Sequence, residues 1–320
     1  MSIYRDNIVG FMIRPQVAIS SCLMGERVRY DGQHKRSAYL VDQFNPFIEP
    51  LSVCPEVNSG MSVPRTPIQL RKTDFNIVLQ DVAPPHHDHT ASMQRFVLKL
   101  IEQSPYICGL ITKSKSPSCG VTDTPMIRDK DNSVHYGSGY YVRLMRRECP
   151  HLPVIDDKAV LHQDYRHRFL LHCFTLGRFY QQVKINPENG ARSFHNQHHL
   201  LFQSIDPMKS KELKQVLELW ANGKATQQNY LTYLAHLLQK PFRVHHAFKA
   251  LELFISQQEK SLQSSLRVLF KTLRRQDSDQ WISALFAKHI SQLSSQLTLD
   301  QIGDNPFFMP YPIELMAAAN

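Results

Sequence analysis

No stretch of this sequence approaches the ~18 uninterrupted apolar residues that a helical membrane span requires. Met1 to Arg14 mix acidic and basic residues among the apolar ones, so they lack the long apolar core of a secretory signal. Both absences point to the cytosol. A disulfide scaffold is excluded as well, because six cysteines in 320 residues are too few and too scattered. In a reducing compartment, grouped cysteines are more often metal ligands or catalysts. No Cys-x-x-Cys pair occurs, which argues against a thioredoxin-like redox centre and against the commonest zinc arrangements. Internal repeats and low-complexity tracts are also missing.

What is present is the composition of an ordinary globular protein, 42% hydrophobic and 20% charged, in a chain long enough for two domains. The net charge of +9 is unevenly shared. Residues 1–165 hold 19 Lys and Arg against 17 Asp and Glu, whereas the remainder holds 18 against 11. A basic second half suggests an anionic partner, nucleic acid first, with solubility as the plainer explanation.

Up to about Asp157 short β-type runs alternate with helical ones. Strands are expected at Val17–Ser20, Ile48–Val53, Asn76–Leu79 and Tyr106–Thr112, and another within His151–Asp156. Thr90–Ile101 carries apolar residues at helical spacing and can be capped by Asp88 or Thr90. Gly137–Arg147 reads as a further helix entered through a Gly-Ser-Gly turn. The alternation implies an α/β fold, a Rossmann-like, mainly parallel sheet flanked by helices. After Asp164 the β signal fades. Phe169–Val183, Phe194–Ser204, Leu213–Asn222, Gln227–Leu238, Val244–Gln257, Ser261–Arg275 and Asp279–Leu293 read as amphipathic helices of an all-α second domain. Residues 1–165 and 166–320 are the two expected domains, with Lys184–Gly190 as the junction between them.

Three cysteines share one setting: Cys22 follows Gln16–Ser21, Cys54 follows Leu51–Val53, and Cys119 closes the loop Lys113–Ser118 behind an apolar strand. Ligands of open parallel sheets bind beyond the carboxyl ends of the strands, so these thiols would meet in one crevice. Three cysteines without a fourth suit a [4Fe-4S] cluster with one open iron. Zinc with three thiolates and a water is the rival, and buried structural cysteines are the plainer alternative. Cys108, Cys149 and Cys173 read as structural. Around the three thiols lie Glu49 and Glu56, either able to serve as general base, together with Ser116, Asp31, His34 and Arg65. His86, His87 and His89 read as an exposed loop; His195, His198 and His199 share a helix face suited to RNA contact or interhelix hydrogen bonding, with zinc ligation less favoured for want of a carboxylate.

Ser21–Gly32, Cys54–Val57 through Pro64–Arg65, and Lys115–Gly120 resemble the TudS-like desulfidases. The second half is similar to the YbgA-like helical module, through Phe194–Leu201, Val244–His246 and Phe307–Pro312. Their fusion resembles that of RudS-type desulfidases, which act on 4-thiouridine in tRNA. The resemblance implies a [4Fe-4S] cluster on Cys22, Cys54 and Cys119, a catalytic-loop serine at Ser116, and a catalytic glutamate for which Glu49 is the nearest match and Glu56 the reserve. It implies tRNA containing 4-thiouridine as partner, with free thiouracil or its nucleotides as the small-substrate alternative and a non-catalytic tRNA-binding protein with a structural cluster as the other. Relatives often read Gly-x-Gly-x before the Pro-Arg pair and Glu after it, where this chain has Gly60–Val63 and Thr66. Candidate substrate and RNA contacts are Lys35, Arg65, Lys113 and Lys115 near the thiols, then Arg143, Arg146 and Arg147, and finally Arg267, Lys271, Arg274 and Arg275.

Overall fold

The computed structural model describes residues 13–241, 243–256, 263–264, 267–268, 305–307 and 309–316. These fall into two compact units, Ile13–Cys173 and a second that begins at Phe174.

The first unit is built on β1 (Gln16–Ser20), β2 (Glu49–Val53), β5 (Ile107–Thr112) and β8 (Val154–Asp156), all parallel, in the order β2-β1-β5-β8. Every residue of β5 is buried, as expected of a strand covered on both faces. From β1 the chain first adds β2 on one side and later β5 on the other. That reversal opens a crevice beyond the carboxyl ends of β1 and β5. Short helices α1 (Ser21–Met24) and α2 (Pro55–Asn58) follow β1 and β2 directly. Each therefore starts at the crevice.

A second sheet was not legible in the strand pattern. It has the order β4-β3-β6-β7, from β3 (Ile68–Lys72), β4 (Ile77–Asp81), β6 (Thr124–Arg128) and β7 (Val134–Gly137). The strand expected at Asn76–Leu79 forms as β4 but pairs antiparallel with β3, so it does not extend the parallel sheet. Only one face of the second sheet is apolar, with Leu70, Leu79 and Met126 buried, so its strands lack the continuous apolar runs of the first. α3 (Thr90–Gln103) buries Met93, Val97 and Leu100.

α4 (Tyr140–Glu148) begins three residues later than the sequence suggests, because Val134–Gly137 is drawn into β7. Its first amides close onto the Cys119 loop: Tyr140 N–H donates to the Pro117 carbonyl at 2.8 Å and Tyr141 N–H to Ser118 at 3.0 Å. A Cβ at Gly139 would lie 2.4 Å from the Ser118 carbonyl oxygen, so this close approach requires glycine.

α5 (Gln163–Ile185) runs across the division at 173/174. The second unit continues with α6 (Gly190–Ile205), α7 (Pro207–Ala221), α8 (Gln227–Leu238) and α9 (Val244–Ser256). Asp206 caps α7 through the amides of Met208 and Lys209, and Thr226 with Asn229 forms a capping box on α8. Phe179 packs among Phe194, Trp220 and Tyr230 in the core of this unit. Of the helices expected over 261–275 and 279–293, only Gln263, Ser264, Arg267 and Val268 are among the described residues, and they are helical. Among the described residues no helix is long and apolar enough to cross a membrane.

Candidate active site

A cavity of about 450 Å³ opens at the carboxyl ends of β1, β2 and β5. Cys22, Cys54 and Cys119 all line it. Each follows a parallel strand at once or within a short loop, which is why residues 97 positions apart in sequence reach one wall. Cys22 and Cys119 are buried and Cys54 is half-buried, and all six cysteines of the chain are free thiols.

Burial sets the chemistry of these thiols. It pushes Cys22 up to about 11; the charge of Cys54 adds to the rise, while Arg29 and Lys113 oppose it. Burial likewise raises Cys54, and it raises Cys119 well above the ordinary thiol range, with Glu56, Cys22 and Cys54 pushing the same way. The thiols are therefore protonated at neutral pH, and a metal that binds them must expel the protons.

The loop Lys113–Gly120 is pinned at several points. Ser116 Oγ accepts from the Cys119 amide at 3.1 Å and from the Ser118 amide at 3.3 Å. Thr124 Oγ1 donates to the Ser116 carbonyl at 2.9 Å. Asp157, just past β8, accepts from Lys113 Nζ at 2.7 Å and from the Ser114 amide at 2.8 Å. Burial would raise the Asp157 carboxyl, but the bonds from Lys113 and Ser114 and the lysine's charge outweigh it and hold it below the usual range.

Glu56 is the carboxylate on the cavity wall. Its Oε1 accepts from Ser118 Oγ at 2.8 Å, and its Oε2 from Arg65 Nε at 2.9 Å and from Arg65 Nη2. Cations outnumber it: Arg29, Lys35, Arg65, Lys113, Lys115 and Lys158 also line the cavity. Arg65 is committed to Glu56 and Lys113 to Asp157. Lys35, Lys115 and Lys158 form no ion pair among the described residues.

The geometry thus gathers Cys22, Cys54, Cys119, Glu56, Ser116, Lys35, Arg65, Lys113 and Lys115 from the sequence reading. It does not gather Glu49. That residue opens β2, is exposed, and is separated from Cys54 by the length of the strand, about 16 Å at ~3.3 Å per residue. Strand direction puts it at the wrong end of the sheet for a base. Asp31 and His34 shape their own loop, accepting from the amides of Gln33 and Arg36, and neither lines the cavity.

Arg143, Arg146 and Arg147 also lie away from the cavity. Arg146 Nη1 donates to the Val121 carbonyl at 3.1 Å and to Ser138 Oγ at 2.7 Å, Arg147 pairs with Glu148, and Arg143 lies against Met126 Sδ. Arg267 is exposed, and Lys271, Arg274 and Arg275 lie outside the described residues. Arg29, Tyr30, Ser118, Asp157 and Lys158 were missed in the sequence. Asp157 and Lys158 follow a parallel strand, the position that should have flagged them.

Other marked residues have local duties. His87 Nδ1 and His89 Nε2 meet the Asp81 carboxylate at 3.1 and 2.9 Å. His195 Nδ1 meets Tyr230 OH at 3.1 Å, and His198 Nδ1 bonds to the Phe194 carbonyl at 2.8 Å. Cys108 and Cys173 are buried in the core.

Residues 17–157 match the family model for 2-thiouracil desulfurase. No curated protein matches the chain. A solved structure described as the [4Fe-4S]-dependent thiouracil desulfidase TudS is similar over 46% of this chain and 93% of its own, at 26% identity and a TM-score of 0.36. The matched stretch spans β1 to the end of β8 and contains all three cavity cysteines. That stretch is similar to the 2-thiouracil desulfurase family, and the similarity ends with the parallel-sheet unit.

Proposed function

We propose that this chain removes sulfur from 4-thiouridine in tRNA, using a [4Fe-4S] cluster held by Cys22, Cys54 and Cys119. The observation that carries the reading is the convergence of three thiols, two buried and one half-buried, on one cavity at parallel strand ends, within the stretch that matches the 2-thiouracil desulfurase model. Among the described residues no three His, Cys, Asp or Glu side chains are placed to share a single metal ion. Three thiols on one cavity wall, with no fourth cysteine lining it, suit a cluster that keeps one iron open. When bound, such a cluster with one open iron supplies a soft Lewis acid for a thiocarbonyl sulfur.

The net reaction exchanges C=S and water for C=O and hydrogen sulfide, with no electrons transferred. The chain's own contribution is placement. Ser116 holds the Cys119 amide and sets the loop that faces the substrate. Lys113 brings a fixed ammonium to the wall, held by Asp157. A pyrimidine fits a cavity of about 450 Å³, within the usual range for small-ligand sites.

Support for RNA comes from charge. Six cations against one carboxylate line the cavity, and the second half of the chain carries 18 Lys and Arg against 11 Asp and Glu. Both favour phosphates. We assign the helical unit to gripping tRNA and the protein to the cytosol, where free thiols persist. The cavity volume alone also suits a free thiolated base or nucleotide, which is the second reading.

Turnover of thiolated tRNA and of free 4-thiouracil, each across a salt series, tests the assignment. Faster turnover of tRNA, falling steeply with salt, is expected. Equal or faster turnover of the free base would transfer the assignment to the small substrate.

A further inference from the structure

We infer that Tyr30 is the stacking platform of the cavity: its ring takes one face of the reacting pyrimidine and thereby selects a planar heteroaromatic substrate. The inference rests on the thiolated-pyrimidine reading above and names how that ring is held.

A thiocarbonyl belongs to the edge of a pyrimidine. With that edge turned toward Cys22, Cys54 and Cys119, the two faces of the ring must be gripped by other groups. The wall offers Val28, Val53, Pro55, Pro67, Ile68 and Pro117 for apolar contact. Among the described residues that line it, Tyr30 is the single aromatic one. It is 42% exposed and so stands at the opening, whereas Cys22 and Cys119 are buried. Tyr39, Tyr140 and Tyr141 of the same unit are buried and serve the core. A large ring left open at the mouth of a cavity is a surface suited to a planar ligand.

The ring is held ready. Arg29 places its guanidinium over it, 5.5 Å from the centroid, and that cation–π contact steadies one face. The backbone beneath closes into a tight turn. Gly32 N–H donates to the Arg29 carbonyl at 2.9 Å, Arg29 N–H to the Gln33 carbonyl at 3.3 Å, and Gln33 N–H to Asp31 Oδ1 at 3.1 Å. Gly32 turns the chain at φ +70°, a conformation that favours glycine. Arg65 N–H ties down the Tyr30 carbonyl at 3.0 Å, and Lys35 N–H the Cys22 carbonyl at 2.8 Å. A platform ordered before the substrate arrives spares the entropy of ordering it on binding. Stacking on an aromatic side chain suits every base, so it can hold the ring while groups at the edge carry the chemistry.

The platform predicts a loss confined to ring binding. The test compares three reconstituted full chains: the parent, Tyr30→Phe, which keeps the π face, and Tyr30→Leu, which keeps apolar bulk without it. Equilibrium dialysis measures the affinity for uracil and for dihydrouracil, whose saturated ring lacks an aromatic face. Neither measurement needs turnover. Steady-state assays with 4-thiouracil and with thiolated tRNA give KM and kcat, and iron per chain is read on each sample.

The parent should favour uracil over dihydrouracil. Tyr30→Leu should weaken uracil binding at least about fivefold and abolish that preference, as loss of an aromatic partner does to a stacked base. KM for both thiolated substrates should rise by about the same factor, with kcat and iron per chain within about twofold of the parent, the mark of lost ground-state binding. Tyr30→Phe should stay within about threefold of the parent in every readout, since the ring face is kept. Parent affinity for uracil in Tyr30→Leu, an equal loss for uracil and dihydrouracil, or a parent indifferent to the two rings overturns the platform. So does loss of iron in Tyr30→Leu, which would make the ring part of the cluster's support. A rise in KM for tRNA alone overturns it too, by placing a neighbouring base of the RNA on the ring. A uracil preference governed by Tyr30 in a chain without turnover would keep the platform and remove the desulfidation reading.

Discussion

The two units treat buried polar groups in opposite ways. In the first, thiols, a carboxylate, a hydroxyl and several cations converge on an opening. In the second, they are consumed inside the core. Arg178 donates to the carbonyls of Pro310 at 2.7 Å and Met309 at 3.0 Å, and burial pulls it down to about 10. Burial lowers His195 to about 4 and His198 well below the ordinary range, so both are neutral. Each uses one ring nitrogen on a partner from its own unit, while its Nε2 is buried without a hydrogen bond among the described residues. A histidine-rich motif and a cysteine-bearing loop look equally suggestive in a sequence. What separates them is position: strand ends open onto space, whereas a helix face packed on aromatics does not.

The sharpest way to break this contrast is to remove a thiol. Replacing Cys22, Cys54 or Cys119 with Ala should abolish iron retention and lower desulfidation by about a hundredfold or more, as loss of a metal ligand does. Cys149→Ser, which alters a half-buried thiol outside the cavity, should leave iron per chain unchanged. Equal iron loss in both variants would erase the distinction.

Next in size is Arg178→Met. It strips two carbonyls of a charged donor and should destabilise the helical unit by roughly 2–4 kcal/mol, read from thermal or urea unfolding, with iron per chain unaffected. Stability unchanged by the substitution would mean that the buried guanidinium does not hold Met309 and Pro310.

A smaller effect per group should come from pH. Burial lowers His151 to about 4 and both His167 and His172 to about 3, against about 6.5 in an unfolded chain. Below about pH 6.5 the unfolded state binds more protons, so these groups' stabilisation falls as pH drops from there and levels off below about 3. Between pH 7 and 5 the loss should be roughly 2 kcal/mol per histidine, seen as a lower urea midpoint. A flat midpoint over that range would contradict their burial as neutral groups. Smallest of all, Glu49→Gln should change turnover less than about twofold, because the residue is exposed at the far end of β2.

How much of this could be read without coordinates depends on how local the signal is. Apolar runs followed by Cys22, by Cys54 and, after a short polar loop, by Cys119 are local, so the parallel sheet and the setting of its three thiols were legible. β3, β6 and β7 were not, since one-sided strands containing Pro125, Arg71 or His135 look like loop until their partners are known. The Glu56–Ser118 bond joins residues 62 apart, and the Arg65–Val28 bond residues 37 apart. No spacing rule reaches that far. Glu49 shows the converse failure: near Cys54 in sequence, it faces the opposite end because a strand lies between them.

The most direct test of the central claim uses protein purified without oxygen and tRNA containing 4-thiouridine. Loss of the thiocarbonyl's near-ultraviolet absorbance is followed while iron and sulfide are assayed on the same sample, beside Cys119→Ala. The account predicts about four irons per chain and complete loss of the band in the parent, with neither in the variant. An iron-loaded parent that leaves the band intact, or a Cys119→Ala variant that removes it, would contradict the account.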